Sequence, residues 1–510
     1  MLVRVTRPRL LRWAALLAVW WILGACVAVL LFLNGSRSVA VAGHDAQVSP
    51  TLGRHVVLET GPVLPDVRLE SPVWLGVQIE LGKTDAESTE ELFSRYALIA
   101  SNVEPQVAQV GRALQELAWS SALRGAAAGS LPVIVYLLLG PGRRREVWEE
   151  LRGLRPRPVL AVALVVASGV ALWQPWWRDE GAVAAEREWI ALEEFLGGQV
   201  PVPEQARGVE LSAGSTTSGT QRLVASAVDT YGKSQVFYDT AVQDAAELAV
   251  REPDEDETVV LLVTDRHDNV GMDRVARAVA DRAGATAVFG GGDDTSTGRP
   301  WEAFSLDSMQ ETFGDLDRWF VTGNHDHGSF VGDHLADAGW TRLAGEVVEG
   351  PAGGRLLGVP DPRSSGLGNW RDETDLSFDE VAEQVADTAC AAHDEGERVH
   401  TILVHDANLA KVALERGCAD LAVGGHTHVP DGPTLVEGEN GELGYTWTNG
   451  TTGGAAYAIA VGSKPRRDAS MTLLTYAEGG RPVGLQLVTL RTNGRFEVAD
   501  FEELRYPQGV

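Results

Sequence analysis

Between residues 259 and 428 the chain places five short polar clusters, each directly after a short apolar run, and no other feature restricts its fold as tightly. Asp265 and His267 follow Val-Val-Leu-Leu-Val, and Gly292-Asp293-Asp294 follows Ala-Val-Phe. Gly323-Asn324-His325-Asp326 follows Trp-Phe-Val, His405-Asp406 follows Ile-Leu-Val, and Gly425-His426-Thr427-His428 follows Leu-Ala-Val. Apolar runs this short, bounded by Gly and polar residues, read as buried strands, and residues just past the ends of such strands gather along one edge of a sheet. Eight ligand-type side chains are therefore expected in one pocket. Any one cluster alone reads equally well as a hydrogen-bonded core residue or a turn. Five in succession, each at a strand end, do not.

The order Asp-x-His, Gly-Asp, Gly-Asn-His-Asp, His, Gly-His-x-His resembles the calcineurin-like metallophosphoesterases, with every element present across about a third of the chain. The resemblance implies a four-layer αββα sandwich of α/β class and a centre of two divalent ions. It implies that Asp293 bridges them, that Asp265, His267 and His428 complete one site, and that Asn324, His405 and His426 complete the other. His325 would then face the substrate, with Asp326 orienting it, to stabilise charge or protonate a leaving oxygen. Imidazole, carboxylate and amide donors without thiolate suit Mn, Fe, Zn or Co. His327, Asp294 and Asp406 read as polar neighbours of the ligands rather than ligands. Arg266, between two ligands, is expected either to face solvent or to reach a substrate phosphate. The run from Thr448 to Gly454 resembles the Asn-Gly loop that follows the last motif in this family. Its Asn449-Gly450-Thr451 tripeptide is discounted as a glycosylation signal.

At 510 residues and 44% hydrophobic composition the chain can hold two or three domains. A net charge of −28 disfavours a nucleic-acid polymer as partner. The basic residues are concentrated: Arg4, Arg7, Arg9 and Arg12 precede an uncharged stretch at 13–33, and six arginines lie within 141–157. Residues 13–33 are long enough to cross a bilayer and read as an uncleaved anchor rather than a signal peptide cut after Ala40-Val41-Ala42. Further candidate spans lie at 122–139 and 158–177, flanking the arginine-rich loop, which is expected to stay in the cytoplasm.

The expected organisation is a cytoplasmic start with a first span at 1–35, an extracytoplasmic α+β segment at 36–121, two spans with their loop at 122–177, an extracytoplasmic preamble at 178–257, and the metallophosphoesterase domain at 258–510. Helices are predicted at 89–123, 183–196, 272–283, 379–392 and 407–416. Strands are predicted within 51–81, at 209–211 and, loosely, at 234–237, and after the last motif at 444–448, 456–461, 472–476 and 484–490. Three crossings put the catalytic domain outside a cell membrane. Cys390 and Cys418 are then either a disulfide or two buried thiols. The predicted activity is hydrolysis of a phosphomonoester, phosphodiester or pyrophosphate in a small or lipid-linked substrate. A receptor that keeps the fold without turnover and a hydrolase of non-phosphate esters are the competing readings. Loop 360–375 is expected to set the substrate.

Overall fold

The computed structural model describes residues 7–41, 43–60, 65–71, 73–84, 104–146, 188–197, 202, 206–213, 218–366, 369–372, 376–455 and 464–506. The chain divides into two compact units, Met1–Thr84 with Val107–Ala225, and Asp85–Gln106 with Ser226–Val510.

The first unit opens with helix α1 (Arg7–Leu33), then strands β1 (Arg37–Val41), β2 (His44–Thr51), β3 (His55–Glu59), β4 (Val67–Glu70) and β5 (Gly76–Thr84). Helix α2 (Glu104–Leu138), β6 (Trp189–Ala191), α3 (Leu192–Leu196) and β7 (Glu210–Ser212) follow, and α4 (Ser218–Ala245) leads out of it. The strands form one sheet in the order β1-β2-β5-β3-β4-β7-β6. Its core is Val41, Ala46, Val48, Val77 and Ile79, with Val110 and Leu114 of α2 packed against them.

Two helices of the described residues, not three, are long and apolar enough to cross a membrane, α1 and α2. The predicted span at 122–139 is no separate element. Nothing between Val107 and Leu138 breaks the helix, and Pro132 is absorbed within it, so the amphipathic and the apolar stretches fuse into α2. The predicted span at 158–177 and the strand at 456–461 lie outside the described residues. Of the helix predicted at 183–196, residues 183–187 lie outside the described residues, Trp189–Ala191 form β6 instead, paired with β7, and only Leu192–Leu196 are helical, as α3. The strand expected at 234–237 is instead part of α4, because Tyr238, Ala241 and Ala245 recur at helical spacing and are buried together.

The second unit alternates strand and helix. It runs β8 (Thr258–Val263), α5 (Gly271–Ala283), β9 (Ala287–Gly290), α6 (Ala303–Phe313), β10 (Asp317–Phe320), α7 (Phe330–Asp337), β11 (Thr341–Arg342), β12 (Val348–Glu349) and β13 (Arg355–Val359). The hairpin β14 (Arg363–Gly366) and β15 (Asn369–Asp372) precedes α8 (Phe378–Asp394), β16 (Val399–Val404), α9 (Lys411–Glu415) and β17 (Ala419–Gly424). Strands β18 (Asp431–Glu437), β19 (Leu443–Thr448), β20 (Ala469–Tyr476), β21 (Pro482–Leu490), β22 (Phe496–Val498) and β23 (Glu502–Glu503) end the chain.

Two mixed sheets result, β11-β10-β9-β8-β20-β21-β22 with β23 on β21, and β12-β13-β16-β17-β19-β18. In β8 every position after Thr258 is buried, and alternate residues serve two cores. Val259, Leu261 and Val263 face helices α4 to α7. Val260 and Leu262 face the other sheet, meeting Leu356, Leu403, Leu421 and Val423. A third cluster packs α8 and α9 on the outer face of the second sheet. This is the layering the resemblance implies, helices outside and two sheets within. It explains why the motif-bearing strands read as continuous apolar runs: both of their faces are covered. Cys390, late in α8, and Cys418, just before β17, are joined by a disulfide.

Candidate metal centre

Each predicted ligand lies just beyond the end of a parallel strand. Asp265 and His267 follow β8, Asp293 follows β9 and Asn324 follows β10, all in the first sheet. His405 follows β16, and His426 and His428 follow β17, in the second. The packed sheets bring these two rows face to face.

The backbone there is unusual. Asp265, His267, Asp268, Asp293, His426 and His428 all have positive φ, between 45° and 73°, and the only other such non-glycine residue among those described is Ala352. Left-handed conformations cost L-residues roughly 1–2 kcal/mol each and persist only where surrounding contacts impose them. Here the imposition is visible. Asp265 N donates to Gly292 O at 2.9 Å and His267 N to Asp293 O at 3.0 Å, tying the β8 loop to the β9 loop. Thr451 Oγ1 donates to Asp265 O at 2.7 Å, and Asn269 Nδ2 to Gly453 O at 2.6 Å. The Asn-Gly loop thus clamps the first ligand segment. A Cβ on Gly425 would collide with the Asp265 carboxylate, so glycine is required for that approach.

The side chains converge in two overlapping groups able to hold a cation, Asp265 with His267 and His428, and Asp265 with Asp293 and His405. Asp293 touches both, its Oδ2 lying 3.8 Å from His267 Nε2 and 3.2 Å from His405 Nε2. Asn324 Oδ1 is 2.9 Å from His426 Nδ1. Backbone carbonyls fix two tautomers: His405 Nδ1 donates to Gly291 O at 2.9 Å and His428 Nδ1 to Ala455 O at 3.0 Å. Their Nε2 lone pairs therefore point inward. His428 Nε2 meets His267 Nε2 at 3.1 Å and Asp265 Oδ1 at 3.2 Å.

Lone pairs aimed at one another and at carboxylates demand positive charge between them. Protons can supply it. Burial pushes His405 and His428 down, but the facing Asp293 and Asp265 outweigh it and hold both above the ordinary histidine value. Burial likewise pushes Asp265 and Asp293 up, and the histidines pull them below the usual carboxylate range. His267, where burial dominates, falls to about 3 and stays neutral. Divalent cations supply the same charge to a donor set of imidazole, carboxylate and amide, which fits such ions without thiolate.

Around this centre, His325 N donates to Asp293 Oδ1 at 2.7 Å, and its ring Nδ1 faces Ser296 O at 3.2 Å. The orienting partner of the ring is that carbonyl. The Asp326 carboxylate accepts instead from Gly323 N, Asp294 N and both donors of Thr295, stitching the β9 and β10 loops together. Arg266 neither faces solvent nor approaches substrate. Fully buried, it forms a two-pronged pair with Asp273 at 2.8 and 2.6 Å, because left-handed flanking residues turn it away from the ligands into α5 and α6. Asp294 lies 3.5 Å from Arg266 and is raised to about 7 by burial. Asn449 is wholly buried, with its amide on Thr264 and Ser470, which removes the glycosylation reading.

Sequence reasoning missed the anchoring of the β14–β15 hairpin. Arg363 pairs with Asp361 at 2.7 Å and with Asp406 at 3.0 Å, and Ser364 Oγ meets His327 Nδ1 at 2.5 Å. The only available signal was the position of these residues in loop 360–375.

No known family profile matches the chain, and no curated protein sequence does. Among solved structures it is distantly similar to a 5'-nucleotidase precursor from Thermus thermophilus, at 15% identity and TM-score 0.29 over 49% of this chain and 55% of that one. It is similar to the protein TT1561 of the same organism at 11% identity and TM-score 0.30, covering 48% and 98%. It is also similar to a novel archaeal phosphodiesterase at 11% identity and TM-score 0.25, covering 48% and 99%. The chain thus spans about half the length of the first of these. Likeness this remote does not define a reaction.

Proposed function

We propose that the chain is a metal-dependent phosphoesterase hydrolysing a phosphomonoester, phosphodiester or pyrophosphate bond. The observation that carries this reading is the convergence of carboxylates and inward-facing imidazole lone pairs on one point, held by backbone in left-handed conformation. Asp265, His267 and His428 would hold one divalent ion, Asn324, His405 and His426 a second, with Asp293 shared. Such a pair supplies Lewis acidity that acidifies water and compensates charge on phosphoryl oxygens. The protein's own part is placement. His325, fixed through its backbone to Asp293 and through Nδ1–H to Ser296 O, would donate a proton from Nε2 to the leaving oxygen as the doubly protonated ring. Asp326 is a positioning residue that fixes the loops carrying Asp293 and Asn324.

The proposal extends to a site outside a cell membrane. The Cys390–Cys418 disulfide, which lies in the second unit, is of a kind that persists in oxidising compartments. The test uses the full chain, metal-stripped and reloaded with Mn, Fe, Zn or Co, assayed on chromogenic phosphomonoester, phosphodiester and carboxyl-ester substrates. Metal-restored phosphoester hydrolysis is expected. No turnover with metal bound supports a receptor, and carboxyl-ester cleavage alone would replace the phosphoesterase reading.

A further inference from the structure

Helices α1 and α2 are not two separate apolar helices. They touch along one line of small residues and run in opposite directions. A Cβ on Gly125 would lie 2.7 Å from Ala28 Cβ, one on Gly129 would lie 2.7 Å from Trp20 O, and one on Gly24 would lie 3.2 Å from Gly125 O. Trp20 Nε1 donates to Ala126 O at 3.0 Å and reaches Ser130 Oγ at 3.1 Å. Further along, Gly35 lies against Leu117, and Arg37 pairs with Glu116 at 3.3 Å. As the numbers rise along α1 they fall along α2, so the pair is an antiparallel hairpin. Gly125-x-x-x-Gly129 opposite Gly24-x-x-x-Ala28 is the spacing that lets two helix backbones approach closely in lipid.

The outer faces are apolar and uncovered. Leu17 is 61% exposed, Trp21 68%, Leu123 68% and Leu131 63%. Residues 119–138 of α2 span about 30 Å, the thickness of a hydrocarbon core, and α1 with 27 residues is longer still. Charge marks the two ends. Arg7 and Arg143 each lie thirteen residues from the Trp20–Ser130 contact, so Arg7, Arg9 and Arg12 stand at the same end as Arg143, Arg144 and Arg145. Arg144 folds back to donate to Leu137 O at 2.8 Å. The opposite end carries the sheet that begins at β1. Arg124, the one charge within 119–138, sits about a turn and a half from that opposite end, within reach of the headgroups.

We propose that α1 and residues 119–138 of α2 enter a lipid bilayer together as a preassembled antiparallel hairpin, with both arginine clusters at the cytoplasmic leaflet and the β1–β7 sheet on the other side. The inference is independent of the proposed reaction. The occupant of the exposed faces is lipid: the apolar length matches a hydrocarbon core, and the basic end suits an anionic cytoplasmic surface.

The chain carries its own probe. Cys26 on α1 is exposed and is the one cysteine outside the Cys390–Cys418 disulfide. Full-length protein in native membrane vesicles is treated with a membrane-impermeant maleimide, in both right-side-out and inverted preparations. Labelling of Cys26 is expected to be absent in both and complete in SDS. In a Cys26→Ser background, Leu131→Cys should be equally shielded, and Gly140→Cys should react only in inverted vesicles. Labelling of Cys26 without detergent overturns the embedding. Shielded Cys26 with reactive Leu131→Cys reduces the hairpin to a single anchor and overturns the proposal. Reaction of Gly140→Cys only in right-side-out vesicles overturns the orientation. Oxidation of an Ala28→Cys, Gly125→Cys pair in the same background should give a linked peptide by mass spectrometry. Two thiols that stay free there would refute the pairing.

Discussion

The two central sheets contribute unlike halves to the candidate metal centre. The first sheet, through β8, β9 and β10, brings Asp265, Asp293, Asn324 and His267, and so carries all of the oxygen donors. The second, through β16 and β17, brings only imidazoles, those of His405, His426 and His428. Carboxylates alone at such separations repel one another, and so do inward-facing imidazoles once charged. Each half is therefore unfavourable in isolation and satisfied by the other, or by cations between them. The centre is a property of the sheet packing rather than of either sheet.

The packing has identifiable clips. Trp447 Nε1 on β19 donates to Thr472 Oγ1 on β20 at 3.0 Å, and Thr401 Oγ1 on β16 meets Tyr476 Oη on β20 at 3.0 Å. Both join the second sheet to the first. Trp447→Ala should break the comparison most severely. It empties a large buried site and leaves Thr472 without that partner, so a stability loss of about 3–5 kcal/mol is expected in urea unfolding, with metal lost in parallel. A variant that lost stability yet kept both ions would show that the halves do not need the interface.

Gly425→Ala acts more locally, by pushing the second sheet's loop off Asp265. Metal affinity should fall by about 10- to 100-fold, read by competition with a chelating dye, while the unfolding midpoint moves little. Proton competition sharpens the comparison further. His405 and His428, on the imidazole side, are raised above the ordinary value of 6.5, whereas His267, on the carboxylate side, is lowered to about 3. Between pH 6.5 and the raised values the metal-free protein holds protons on His405 and His428 that a cation must displace. Affinity should accordingly rise with pH, by about tenfold per unit for each proton displaced, and calorimetry in buffers of different ionisation enthalpy should count that release. A flat profile would mean that the second sheet's imidazoles are not ligands. The smallest effect is expected for Thr401→Val, which removes one clip without a cavity: about 1 kcal/mol of stability, with metal content unchanged.

The same contrast explains what the sequence could show. The ligand rows were legible because each sits at a fixed step past an apolar run, and both runs and motifs are local. The layering followed, since Val259 to Val263 have no polar position and so must be covered on both faces. Local pattern failed where the outcome is decided outside the stretch being read or by an unusual backbone conformation. Arg266 looked free to face outward on an extended strand, but left-handed Asp265 and His267 turn it towards Asp273. The stretch at 234–237 looked like a strand because Tyr238, Ala241 and Ala245, which make it helical, lie downstream. Asp326 looked like the partner of its neighbour His325, whereas its carboxylate serves Thr295 and Asp294 in another loop. The arginine-rich ends of α1 and α2 were each visible as membrane flanks. That they stand together required the contact of Trp20 with Ser130.

Counting ions in the full-length protein and in its Asp293→Asn variant tests the account most directly. Both are stripped, reloaded with Mn and measured by elemental analysis alongside phosphoester hydrolysis. Two equivalents and metal-restored turnover are expected for the native chain, with no more than one equivalent and no turnover for the variant. Two equivalents retained without Asp293, or a native chain that binds none, would contradict a centre built where the carboxylate and imidazole halves meet.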